Sequence, residues 1–119
     1  MRIVSMSLAL SALVLTMGAA GQAAGAQSVT GTDGPGFTIT LKQHAKTVKT
    51  LAPGVYVFVI HDQSAIHNFH LTGPGVNRKT SVGGTGNTTW RLTLRRGTYR
   101  YVCDPHASIM KGKFVVQAP

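Results

Sequence analysis

The chain has 119 residues, with twelve Lys and Arg against three Asp and Glu, a formal charge of +9 and one cysteine. That length suits one small domain, and a lone cysteine excludes an intramolecular disulfide framework. The basic residues are scattered rather than gathered in a long run, which argues against a nucleic-acid binder despite the charge.

Met1-Arg2 leads into a mainly apolar run from Ile3 to Met17, then into small residues ending Ala24-Gly25-Ala26. A short positive start, an apolar core and an A-x-A site predict a secretory signal peptide over 1–26. The apolar run is short for a membrane span. The expected product is therefore exported, to the periplasm or the extracellular space, as a monomer without stable membrane insertion. Only Arg2 leaves with the leader, so the product stays basic. Such a charge suits an acidic protein partner or an anionic envelope surface, acting on encounter rate, and plain solubility accounts for it equally well.

Residues 27–36 are rich in Gly, Ser and Thr and are expected to form a flexible lead-in. Phe37-Thr38-Ile39-Thr40-Leu41 alternates as a half-buried strand does, and Lys46–Leu51 suggests a weaker strand. After the Ala52-Pro53-Gly54 turn, Val55–Ile60 is a run of β-branched and aromatic residues, expected to be a strand buried on both faces. His61–Ser64 interrupts it, and Ile66–Leu71 resumes as a short strand. Thr72–Gly75 turns the chain into a polar, glycine-rich stretch with one short edge strand. Thr88–Leu94 alternates with Trp90, Leu92 and Leu94 inward, Arg95-Arg96-Gly97 is taken as a hairpin turn, and Thr98–Cys103 returns with Tyr99, Tyr101 and Cys103 on one face. Lys113–Gln117 closes the chain. Seven to eight short strands without a helical period predict an all-β sandwich.

Chemistry concentrates in Tyr101-Val102-Cys103-Asp104-Pro105-His106-Ala107-Ser108-Ile109-Met110-Lys111-Gly112, which holds the only cysteine and the only methionine beyond the leader. Thiolate, imidazole and thioether together are soft to borderline ligands, and two His, one Cys and a weak axial Met select copper. A buried inert cysteine or an intermolecular bridge is the plain alternative. Cys103 and His106 also invite comparison with a nucleophile–base pair, but no Gly-rich oxyanion element accompanies them.

Asp62-x4-His67-Asn68-Phe69, followed by Tyr101-x-Cys103-x2-His106-x3-Met110-x-Gly112, resembles the cupredoxins, the blue-copper family of plastocyanin and amicyanin. The resemblance implies a Greek-key β-sandwich over 37–119, with one type 1 copper ion held at one end by His67, Cys103, His106 and Met110. It implies that Asn68 ties the two ligand-bearing segments together and that Pro105 stiffens the turn between Cys103 and His106. Three residues separate His106 from Met110, where plastocyanins usually have four and amicyanins two. His70 competes with His67 as first ligand; three apart on a regular strand they face opposite sides, and His67 is favoured because Asn68 follows it. His44 and His61 have no ligand partner at useful spacing, and Asp62 is expected to cap a turn or pair with a base.

The leading expectation is a soluble one-electron carrier, not an enzyme, in which copper cycles between Cu(II) and Cu(I). Its redox protein partner would meet an apolar patch of Pro74, Ala107 and Ile109 around His106. The alternative is a copper-binding module for envelope copper carriage or delivery. A multicopper enzyme is disfavoured because Cys103 is flanked by Val102 and Asp104 rather than by histidines. Asn87-Thr88-Thr89 matches a glycosylation acceptor, but the leader also suits a bacterial chain, where such a match carries little weight.

Overall fold

The computed structural model describes residues 25–119, so all but the end of the expected signal peptide lies outside the described residues. Ten strands are found among them: β1 Gln27–Asp33, β2 Ile39–Gln43, β3 Lys46–Thr47, β4 Thr50–Leu51, β5 Gly54–Asp62, β6 His70–Gly73, β7 Val76–Lys79, β8 Gly86–Leu94, β9 Gly97–Val102 and β10 Lys111–Val116. They form two five-stranded sheets, ordered β3-β2-β1-β5-β8 and β4-β10-β9-β6-β7. Within the described residues no helix is long and apolar enough to cross a membrane.

Alternation builds the core between the sheets. Tyr56, Phe58 and Ile60 of β5, Trp90, Leu92 and Leu94 of β8, and Tyr99 and Tyr101 of β9 all point inward and are buried. Phe69 stacks on Tyr101 with ring centroids 5.4 Å apart, and Tyr99 stacks on Phe114 at 5.1 Å. Pairs of this kind add about 0.5–1.5 kcal/mol each beyond the area they bury. Val57 and Val59 are only half-buried and Val55 is exposed. The expectation of a strand covered on both faces is thus corrected: among the described residues no layer lies above the outer face of this sheet, and its valines reflect strand propensity.

The expected lead-in over 27–36 is also overturned, because Gln27–Asp33 is a central strand. It pairs antiparallel with β2 and parallel with β5 along its whole length. Its small residues misled the composition argument. A Cβ on Gly31 would lie 2.7 Å from Ile60 Cδ1 and 2.8 Å from Phe69 Cε2, so glycine is there for packing rather than looseness. The strand count rises accordingly from seven or eight to ten, with Lys46–Leu51 resolved into the short β3 and β4.

Arg95–Gly97 is not a hairpin turn, since β8 and β9 belong to different sheets. The connection crosses the sandwich and is pinned by Tyr99. Its hydroxyl accepts the Arg95 N–H at 3.1 Å and can donate to the carbonyl of Arg95 at 3.0 Å or of Pro74 at 3.2 Å.

Asp33 and Asp62 face each other as register partners at the end of the parallel β1–β5 pair, and both are buried. Asp62 caps the following turn, accepting the Ser64 N–H at 3.2 Å, as its sequence position suggested. Among the described residues no N–H donor reaches the Asp33 carboxyl, whose polar neighbour is the carboxyl of Asp62. Burial first, then the hydrogen bond and the charge of Asp62, push its pKa from 3.8 up to about 7. Between those values the folded chain holds a proton that the unfolded chain releases. Stability conferred by that proton is therefore present in acid and lost as pH rises toward about 7. Thermal unfolding followed by circular dichroism should show a midpoint that falls across this range. Asp33→Asn, which cannot ionise, should remove most of that fall; an unchanged pH profile would count against the buried proton.

Candidate metal centre

The site is assembled from two connections at one end of the sandwich. Cys103 directly follows β9, and its N–H donates to the Met110 carbonyl at 3.0 Å, closing the loop between β9 and β10. A single 3-10 turn over Asp104–His106 opens that loop, with Pro105 in its first turn. A fixed φ suits proline there, and the missing N–H costs nothing at a helix start. His106 N–H bonds the Cys103 carbonyl at 3.0 Å, and Met110 N–H bonds the His106 carbonyl at 2.8 Å.

His67 sits on the connection between β5 and β6. The strand expected over Ile66–Leu71 begins only at His70, so the strand-period argument separating His67 from His70 does not apply. What separates them is direction. His67 is fully buried and turned toward Cys103, whereas His70 lies on the outer side, against Asp104. Gly34, with φ of +75°, makes room for the His67 ring; a Cβ there would lie 3.3 Å from its Cδ2 and 3.1 Å from Ser64 Cβ.

Three ligand atoms converge. His67 Nδ1 and His106 Nδ1 are 3.0 Å apart, and Cys103 Sγ lies 3.7 Å from the first and 3.5 Å from the second. A point equidistant from atoms spaced this way lies roughly 2 Å from each, a bonding distance for imidazole nitrogen to a first-row ion and slightly short for thiolate sulfur. The donor set itself, two imidazoles and a sulfur with no carboxylate among them, is one that suits copper. Cys103 and His67 are buried and His106 is partly exposed. The residues present therefore fit a bound copper ion, with Cys103 as thiolate and the two histidines through Nδ1.

Asn68 holds the two connections together, as the family resemblance implied. Its backbone N–H points at Cys103 Sγ at 3.4 Å. Its side-chain amide donates to Asp104 Oδ2 at 2.8 Å and to the Thr80 carbonyl at 3.2 Å, while its Oδ1 accepts the Asp104 N–H at 2.8 Å. Asp104 completes a chain to His70 Nδ1 at 2.8 Å. Burial would raise the Asp104 pKa, but the His70 and Asn68 hydrogen bonds outweigh it and hold it below 3.8. For His70 burial acts downward, and the bonds to Asp104 and Asn77 outweigh that to raise it above 6.5. The Asp104 contribution to stability is lost as pH falls below the carboxylate range, and the His70 contribution is lost as pH rises past 6.5.

Of the expected patch, Ala107 and Ile109 are exposed beside His106, and Ile109 is 63% exposed. Pro74 is a correction: it follows β6 at its far end, packed toward Gly97 where β9 begins, at the opposite end of the sandwich from Cys103. The sequence reading missed Phe37. Alternation placed it in the core, yet it precedes β2, is 55% exposed, and lies edge-on to His67 at 5.2 Å and to His106 at 4.9 Å. It also missed Thr80, which clamps the His67 connection by accepting the Phe69 N–H on its hydroxyl at 2.9 Å and donating its own N–H to the Phe69 carbonyl at 3.0 Å. Thr80 lies in a polar loop with no pattern to mark it. Met110 is fully buried at the loop's end, where the expected axial ligand would start. His44 is exposed, and His61 pairs with Asn87 at 2.6 Å, away from the cluster.

A β-sandwich that gathers two histidines and a cysteine at one end defines a mononuclear copper protein. The family of copper binding proteins described as the plastocyanin/azurin family matches residues 37–117, and the chain belongs to it. Among solved structures, reduced rusticyanin is similar at 23% identity and a TM-score of 0.55, over 76% of this chain and 78% of that one. Rusticyanin from Thiobacillus ferrooxidans matches at 24% identity and a TM-score of 0.53, over 76% of each chain. Auracyanin A, a "blue" copper protein from the green thermophilic photosynthetic bacterium Chloroflexus aurantiacus, matches at 19% identity and a TM-score of 0.54, over 78% of this chain and all of that one. Comparison with curated proteins finds no match.

Asn68→Ala should leave the part-buried Asp104 N–H without its acceptor and the Thr80 carbonyl without a donor, which costs about 1–3 kcal/mol. Chemical denaturation of the metal-free protein measures this. A variant as stable as the parent would show that Asn68 does not join the two connections.

Proposed function

We propose that the protein is an exported, soluble one-electron carrier, with Met110 as a weak axial ligand completing the His67, Cys103 and His106 set. The observation that carries this reading is the convergence of three ligand atoms on one point, with His106 alone partly open to solvent. Bound copper would supply the couple between Cu(II) and Cu(I). The chain's part is to keep the geometry the same in both states. His67 is walled in by Gly34 and Thr80's clamp, and Cys103 and His106 are held by the backbone bonds of their short loop. Ligands fixed in this way suit both oxidation states, so little rearranges on electron transfer.

His106 is the natural point of contact for a redox partner. Exposed Phe37, Ile66, Ala107 and Ile109 belong to the segments that carry or cover the two histidines, and they supply an apolar rim. The surplus of basic side chains suits an acidic redox partner and would speed encounter more than it strengthens the complex. Burial of His67 and Cys103 favours retention of the metal over its delivery to another protein. Export accords with the leader and with the lone, metal-protected thiol.

Titration with Cu(II) should produce an intense visible band from thiolate charge transfer that a mild reductant bleaches and an oxidant restores. A colourless complex, or copper lost on the first reduction, would remove the carrier reading. Ala107→Glu and Phe37→Glu should each slow electron exchange with an acidic protein partner by roughly tenfold or more, as expected when a like charge enters a contact, without loss of copper. Pro74→Glu, at the far end, should not. Equal rates in all three variants would show that the partner docks elsewhere.

A further inference from the structure

His70 was a rival for the copper site on sequence, and the structure gives it other work. Both of its ring nitrogens face oxygen acceptors: Nδ1 meets Asp104 Oδ1 at 2.8 Å and Nε2 meets Asn77 Oδ1 at 2.7 Å. An imidazole satisfies two acceptors only when both nitrogens carry hydrogen, that is, as the imidazolium. Asp104 in turn receives His70 on one carboxylate oxygen and Asn68 on the other, at 2.8 Å each. Asn68 returns its Oδ1 to the Asp104 N–H and sends its backbone N–H to Cys103 Sγ. The result is an unbroken chain of hydrogen bonds from β7 through β6 to the sulfur.

Resting on the copper reading above, we infer that His70 is a positioning residue for the metal centre. As imidazolium it fixes the Asp104 carboxylate, which orients Asn68 and so sets the N–H that Cys103 sulfur accepts. Two effects follow with the same sign. A hydrogen bond to a thiolate sulfur draws electron density away from it and favours the reduced metal. A positive charge close to the site also favours the reduced, less positive state. Loss of the His70 proton weakens both, so the potential should fall as His70 deprotonates. The charged groups around the ring are Asp104 on the Cys103–Met110 loop, Lys79 opposite His70 on β7, and Lys111 on β10, beyond Val102 of β9. Asp104 is the one anion among them, and Lys79 opposes protonation. The net pKa of His70 is raised because its bonds to Asp104 and Asn77 outweigh burial and that lysine.

The test uses the full mature chain and has two arms. In the metal-free protein, pH titration by NMR should show the Asn68 side-chain amide and the Asp104 backbone amide shifting together with the His70 ring. In the copper-loaded protein, the reduction potential should fall across that same pH range, and His70→Gln should be flat there and sit below the acid-limit value of the parent. Amides that ignore His70 ionisation would overturn the inference without touching the copper reading, and so would a His70→Gln protein that keeps the parent's pH step. If the protein binds no copper, the copper reading fails, and the NMR arm still decides whether His70 governs Asn68 and Asp104.

Discussion

The centre depends on one pairing register. β6 runs antiparallel to β9 with His70 opposite Val102 and Leu71 opposite Tyr101. That register sets the residues just before β6, His67 and Asn68, against the residues just after β9, Cys103 and Asp104. Slipping β6 by one residue would turn Leu71 out of the core and send Asn68 past Asp104. The buried Leu71, Tyr99 and Tyr101 therefore hold the ligands in place as well as the core. Fixing a metal site by the pairing of core strands is what lets the ligand loops stay short.

The same logic governs the distribution of charge. Of the three acidic residues, Asp33 and Asp62 are buried together behind the His67 connection, and Asp104 is engaged by His70 and Asn68. No carboxylate is left free to offset the surface lysines and arginines. Two acidic groups are buried at the site end and the third is engaged at its surface, and basic groups face the solvent. The positive exterior thus follows from where the few carboxylates are needed.

Much of this was legible in the chain. Cys103 and His106 are marked by spacing, and period-two alternation placed Trp90, Leu92, Leu94, Tyr99 and Tyr101 in the core where they lie. The asparagine that follows His67 favours it over His70, and the structure brings His67 to Cys103 and His106, although the strand period does not separate the two because β6 starts three residues later. The misses share one cause: each depends on a distant neighbour. Gly31 looks like loop until Phe69 and Ile60 are seen against it, Phe37 looks like core until the two imidazoles appear beneath it, and Thr80 carries no local signal at all. Pro74 is grouped with Ala107 and Ile109 as an apolar patch around His106, and only the direction of β6 shows that it belongs to the other end.

The central claim is that the chain gathers His67, Cys103 and His106 to hold a copper ion through one sulfur and two nitrogens. Copper K-edge X-ray absorption of the protein loaded with an equimolar amount of copper addresses this directly. The account predicts a first shell of one short copper–sulfur and two copper–nitrogen contacts in both oxidation states, with the sulfur lost in Cys103→Ser. A shell of nitrogen and oxygen only, with the Cys103 thiol still free to react, would contradict it.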